Sequence, residues 1–243
     1  MASKPYAIIA GVGAGTGAAV ARRFAKQYPV ALLARSADYA KGLAAEIEAE
    51  GGTAVSYKVD VANEEDLERA FGEIKKRFGT VCAAAIFNAS SRPFPKPFLW
   101  QSQSDVDWAL SITLTGAFLF AQASIPLLVN ATGGDFVPTL IYTGATAGVK
   151  ANAWMQPFTV SKHSLRALVL ALAEEFAPQG VHVAHAIIDG VIRMPLTWIM
   201  KPLSSWHAKL DSNVIADSYW HLHEQPLALM TTEVALRPFC ETW

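Results

Sequence analysis

Glycine occupies every second position from Gly11 to Gly17 in the run Gly11-Val12-Gly13-Ala14-Gly15-Thr16-Gly17. The apolar stretch 6–10 before it reads as a strand, and 17–27 after it has helical spacing. Backbone N–H groups at such a helix start can hold a pyrophosphate, and glycines let phosphates approach with no Cβ in the way. Two registers fit the run, Gly11-x-x-x-Gly15-x-Gly17 and Gly13-x-Gly15-x-x-Ala18. The plainer alternative is a glycine-rich turn that only packs a helix onto a strand.

Beyond the turn, short β-branched or apolar runs alternate with longer helical segments, the mark of βαβ units around a parallel sheet. Strands are expected at 6–10, 30–34, 53–59, 82–87, 139–143 and 181–188, and helices at 17–27, 38–50, 64–78, 105–128 and 156–176. In the 64–78 helix, Leu67, Ala70, Phe71 and Ile74 form the buried stripe. Pro93, Pro95 and Pro97 make 91–98 an ordered loop beside the fourth strand. The expected fold is α/β: one Rossmann-like, doubly wound domain over 1–243, with 192–225 as a substrate lid.

A chain of 243 residues, 52% hydrophobic, can bury one large core. Its 20 basic and 21 acidic residues give no broad field for nucleic acid or an anionic membrane, so a small-molecule substrate is the expected partner. Cys82 and Cys240 lack any ligand spacing and read as reduced thiols; no metal site is expected. With no signal-peptide pattern and no long uninterrupted apolar span, the expected location is the cytoplasm.

The second strand ends Leu33-Ala34-Arg35-Ser36. A carboxylate there would bond the ribose 2′-hydroxyl of NAD, whereas Arg35 and Ser36 suit a 2′-phosphate, so NADP(H) is the expected cofactor. Arg35 as a plain surface cation is the competing reading.

The glycine spacing at Gly11, Gly15 and Gly17 resembles the short-chain dehydrogenase/reductase family. Thr16 falls inside the same turn. Asp60-Val61 resembles the family's adenine-binding position, and Asn88-Ala89-Ser90 its Asn-Asn-Ala-Gly turn. The resemblance implies that Lys162, in Phe158-Thr159-Val160-Ser161-Lys162, is the lysine that holds the nicotinamide ribose. It also implies departures. Phe158 stands at the family's tyrosine, Ala145 at its serine and Thr113 at its asparagine. Asp189-Gly190-Val191 replaces a Pro-Gly turn near the nicotinamide, and Met194 stands about where a threonine often binds the carboxamide.

Losing two hydroxyls removes an acid step usually worth roughly a hundred- to ten-thousand-fold. An iminium ion needs no protonation of oxygen, and Asp189 at the pocket edge could accept such a cation. A solvent-facing turn is the other reading of Asp189. Trp198, Trp206, Tyr219 and Trp220 suit either an aromatic substrate lid or core and subunit packing, while His207, His221 and His223 make no metal motif. The C-terminal half of the chain resembles a divergent bacterial and fungal branch, some fungal members of which resemble alkaloid-pathway reductases that also guide a cycloaddition.

The leading expectation is an NADP(H)-dependent reductase of an activated, bulky apolar substrate, assembled as a homodimer or homotetramer through its long helices. A non-redox cyclase or isomerase, a silent NADP(H)-binding protein, and a carbonyl reductase relaying through Thr113, Thr146 or water remain as alternatives.

Overall fold

The computed structural model describes residues 4–193 and 209–239. Strands β1 (Tyr6–Ala10), β2 (Val30–Ala34), β3 (Ala54–Lys58), β4 (Cys82–Phe87), β5 (Thr139–Thr143), β6 (His182–Ile188) and β7 (Glu233–Leu236) form one sheet in the order β3-β2-β1-β4-β5-β6-β7. Every neighbouring pair is parallel. The order reverses between β1 and β4, and in sheets of this kind ligands bind beyond the strand C-termini at that switch point.

Helices α1 (Thr16–Ala25), α2 (Ala37–Ala49) and α7 (Ser212–His223) cover one face. Helices α3 (Glu64–Phe78), α5 (Gly116–Val129) and α6 (Gln156–Phe176) cover the other. The central strands are buried along their whole length, which is why they read as continuous apolar runs without alternation. Helix α3 has the expected stripe inside, and Asn63 caps it by accepting from the Asp66 backbone N–H.

Three expectations need correction. A seventh strand, β7, was not anticipated: it has four residues, lies at the sheet edge and is only partly buried, so neither length nor alternation marked it. The helix expected at 105–128 runs over Gln103–Val129, as α4 (Gln103–Leu110), a π turn at Ser111–Thr115 and α5. This helix is long and apolar enough to cross a bilayer, but Ile112, Ala117, Phe120, Ile125 and Leu128 belong to the core.

The third is the last part of the lid expected over 192–225, of which 194–208 lie outside the described residues. Residues 212–223 form a core helix: Tyr219 is fully buried, Trp220 packs edge-on to Phe24, and Arg23 lies over the Trp220 ring. Packing is therefore the role of these two aromatics. Met194, Trp198, Trp206, His207 and Cys240 lie outside the described residues. On this helix His221 is exposed and His223 buried, so the two rings face different sides.

The His223 Nε2 atom pairs with the Tyr28 hydroxyl at 3.0 Å and Nδ1 with the Thr139 hydroxyl at 3.0 Å. Burial, with nearby His182 as the second cause, pushes its pKa down to about 4. The unfolded imidazole, near 6.5, takes up a proton first on acidification. Stability should therefore be full above pH 6.5 and fall between 6.5 and about 4, by an amount on the order of 3 kcal/mol from this group. Urea unfolding at pH 7 and 4.5 measures the loss, and His223→Gln should reduce the difference between the two.

Candidate active site

The glycine turn connects β1 to α1 at the switch point. Gly11 has a φ of +85°, and a Cβ there would sit 2.3 Å from the Ala89 backbone nitrogen. A Cβ on Gly17 would lie 2.5 Å from the Gly11 carbonyl oxygen and 3.2 Å from Asn88 Nδ2. Gly13 has open space around its Cβ position. The strict requirements therefore fall on Gly11 and Gly17, which favours the Gly11-x-x-x-Gly15-x-Gly17 register.

Asn88 ties three strand ends together. Its Nδ2 donates to the Gly11 carbonyl at 3.0 Å, and its Oδ1 accepts from the Thr143 hydroxyl at 3.0 Å. Because the Thr143 proton is committed there, the Tyr219 hydroxyl donates to Thr143 Oγ1, at 2.8 Å. Sequence reasoning missed that contact, since no local pattern links residues 76 positions apart.

Lys162 projects from α6 into this junction and donates to the Thr143 carbonyl at 2.8 Å. It is only 2% exposed, and burial pushes its pKa down to about 7. Phe158 lies one helical turn earlier, half-buried, and Ala145 is half-buried just beyond β5. Thr113 sits in the π turn, fully buried, where its hydroxyl accepts from the Ser91 N–H at 3.1 Å and lies 3.3 Å from Ser91 Oγ. π turns of this kind often mark functional positions.

Asp189 does not face solvent. It is 6% exposed, accepts from the Thr146 hydroxyl at 2.6 Å and pairs with Arg237 at 3.1 Å. The carboxylate expected to receive a cationic substrate already has a cation, and that part of the expectation is corrected. Gly190 follows with a φ of +155°, its Cβ position blocked by Pro238, and Val191 is partly exposed.

At the other end of the switch point, Arg35 and Ser36 are exposed after β2. Ser36 starts α2 without using its hydroxyl as a cap. Asp60 is half-buried and accepts from the Ala62 N–H, while Val61 packs under Gly116.

The short-chain dehydrogenase profile matches residues 5–202. The chain belongs to the short-chain dehydrogenase family. It is 28% identical over 196 residues to a human 3-oxoacyl-[acyl-carrier-protein] reductase, covering 80% of this chain and 77% of that protein. It is 30% identical over 190 residues to an A-factor type gamma-butyrolactone 1'-reductase (1S-forming) of Streptomyces virginiae, covering 77% and 71%. Among solved structures, a short-chain dehydrogenase from Rhodopseudomonas palustris superposes with a TM-score of 0.79 at 26% identity, over 97% of this chain and 98% of that one. A metagenomic short-chain oxidoreductase in complex with NADP has the same fold, with a TM-score of 0.81 at 24% identity over 97% and 98%.

Membership makes this protein a short-chain-dehydrogenase-type oxidoreductase, and the glycine cradle fits the nicotinamide dinucleotide such enzymes use. The residues that would hold it are Gly11, Gly15, Thr16 and Gly17 at the pyrophosphate, Asp60 and Val61 at the adenine, Asn88 and Ala89 at the switch point, and Lys162, Gly190 and Val191 toward the nicotinamide. Thr16 Oγ1 is buried without a hydrogen-bond partner. An incoming phosphate oxygen would satisfy it.

Gly17→Ala tests the cradle. Its methyl group must displace the Gly11 carbonyl or the Asn88 amide, so dinucleotide binding measured by titration calorimetry should fall at least tenfold.

Proposed function

We propose that this protein transfers hydride between NADP(H) and an activated, bulky apolar acceptor, with iminium ions as the preferred class. The observation that supports the reading is a glycine turn with no room for a Cβ at Gly11 or Gly17, and a buried Lys162 on the Thr143 carbonyl, together with two hydroxyl-free positions, Phe158 and Ala145. A bound nicotinamide supplies the hydride. Among the chain's own hydroxyls, Thr113 is engaged with Ser91, Thr146 with Asp189, and Thr143 with Asn88 and Tyr219. The protons of Thr146 and Thr143 are committed to Asp189 and Asn88, and Thr113 is turned toward Ser91, which argues against ordinary carbonyl reduction through a threonine relay.

With Asp189 paired to Arg237, the preference for an iminium rests on its needing no proton at oxygen rather than on a free carboxylate. The apolar character of the acceptor is supported by the loops after β4 and β5. They are joined where the Lys96 N–H donates to the Trp154 carbonyl at 2.9 Å, and Gln101 Nε2 donates to Gln156 Oε1 at 2.7 Å. Phe94, Phe98, Trp100 and Trp154 stand exposed on them. Trp154 has a φ of +67°, the one positive value at a non-glycine among the described residues. Such strain gathers at ligand-binding positions. The exposed faces of α5 and α6, with Phe118 and Val160, support assembly as a homodimer or homotetramer.

Three outcomes test this reading. NADPH should bind more tightly than NADH, and Arg35→Ala should weaken NADPH alone, by about 1.5–3 kcal/mol for a lost charged hydrogen bond; fluorescence titration of both cofactors measures it. Preformed cyclic iminium ions fused to aromatic rings should be reduced with label transferred from deuterated NADPH to the former iminium carbon, while matching ketones react far more slowly. Substrate consumed with no cofactor oxidation and no label transfer would replace this reading by the non-redox cyclase or isomerase. Phe158→Tyr with Ala145→Ser should raise ketone reduction roughly a hundredfold or more, the usual weight of a positioned acid.

A further inference from the structure

The face of the sheet under α6 carries a second set of ionisable groups that the cofactor site does not use. His185 on β6 and Glu233 on β7 are paired in register, and His185 Nδ1 lies 3.0 Å from Glu233 Oε2. Arg166, one helical turn after Lys162, holds the same carboxylate through two bonds, at 2.7 and 2.9 Å. The Arg166 guanidinium, then the His185 hydrogen bond, keep Glu233 below the usual carboxylate range. An ionised carboxylate only accepts, so Nδ1 carries the His185 proton and Nε2 is left as a bare acceptor.

That Nε2 atom is buried and has no partner. Its position is informative. A Cβ added to Gly144 would lie 2.3 Å from Nε2 and 2.7 Å from Cε1, so the ring edge abuts the backbone of the residue that follows Thr143. The Thr143 carbonyl is the acceptor that holds Lys162. A bare acceptor and a buried ammonium thus flank one peptide unit at the end of β5.

Charge accounting then links the two groups. Lys162 and Arg166 from α6, and Glu233 from β7, face His185; its other neighbour in register, Tyr142 on β5, is a buried phenol that donates to the Ala117 carbonyl. Glu233 is already shared with Arg166, so it only partly offsets a charge on His185 and leaves the Lys162 charge uncompensated by it. Burial, partly offset by Glu233, holds the His185 pKa below its ordinary value, and Lys162 and Arg166 push the same way. The two groups have room for one proton between them.

We propose that His185, oriented by Glu233, is a proton carrier for Lys162, exchanging one proton between Nε2 and Nζ through a single bridging water. The unit replaces, as the site's proton source, the hydroxyl that Phe158 lacks. Use of that proton rests on the oxidoreductase reading. An acceptor arriving as a neutral imine takes the proton of the Lys162 ammonium on its nitrogen. Lys162 is left as the free amine beside a neutral His185; the proton that restores the pair comes from solvent, adds at the bare Nε2 and passes through the bridging water to Nζ. Imine nitrogen is basic enough for such a donor, whereas a ketone oxygen is not, so the same arrangement selects the substrate class.

The protein without cofactor provides the first test. Nitrogen-15 NMR of the histidine rings should find His185 in the Nδ1-protonated form, titrating below its ordinary value. Lys162→Met should raise its midpoint by at least one pH unit, the coupling at which two sites titrate as a pair. Lys162→Arg, which keeps a fixed charge and guards against a folding defect in the methionine variant, should leave the midpoint low. A midpoint identical in folded wild-type, Met and Arg proteins overturns the proposal, as does a high-resolution crystal structure in which Nε2 meets only carbon. In turnover, His185→Gln should slow the steady state at least tenfold, spare the first turnover and be rescued by imidazole buffer. Slowing without rescue overturns the carrier role. Absence of any hydride transfer in the wild-type protein would instead sink the oxidoreductase reading and leave the NMR result to decide the proton unit.

Discussion

The hydrogen bonds of the Asn88 side chain hold the site together. They join β1, β4 and β5 at the point where the strand order reverses, and they do so through groups that would otherwise be unsatisfied at the ends of buried strands. The Gly11 carbonyl, the Thr143 hydroxyl and the Tyr219 phenol are all oriented through this amide. So is the strand tip whose carbonyl receives Lys162. Gly11 and Gly17 are the covalent counterpart of the same clasp, because any side chain at either position would push β1 away from the turn after β4 or displace the amide.

Around this clasp the molecule manages several buried or half-buried charges in different ways. Asp189 is neutralised outright by Arg237, and Glu233 by Arg166. Lys162 has a carbonyl and its charge is the costly one, which is why burial brings its pKa to about 7. The family's tyrosine would share that proton through a hydroxyl. Here the ring of Phe158 offers none, and the chemistry of the site turns on where the Lys162 proton goes.

Much of the fold was legible in residues because the central strands are apolar on both faces and the helices are separated from them by glycines, prolines and caps. The glycine run, Asn88 and Lys162 could be placed because each lies at a strand end or on a long helix whose limits local pattern marks. Strand β7 was not legible, since Val234 and Ala235 in a four-residue edge strand differ little from a loop. The division of labour in 192–225 was equally hidden: Tyr219 and Trp220 have the composition of a lid and the burial of a core. The π turn at Ser111–Thr115 interrupts a helix whose spacing on either side is regular, so nothing in the pattern announced that Thr113 sits on it.

The sequence by itself determined the parallel α/β architecture, the dinucleotide cradle and the absence of hydroxyls at 145 and 158, because each depends on residue type and local spacing. Only the tertiary structure decided which polar groups remain available. Asp189 meets Arg237, Thr143 meets Tyr219, and His185 meets Glu233 through contacts spanning 48 to 76 positions of chain, made by strand order and helix packing. Whether a buried carboxylate, hydroxyl or imidazole is free or already satisfied is set by such distant partners, and no local pattern encodes them.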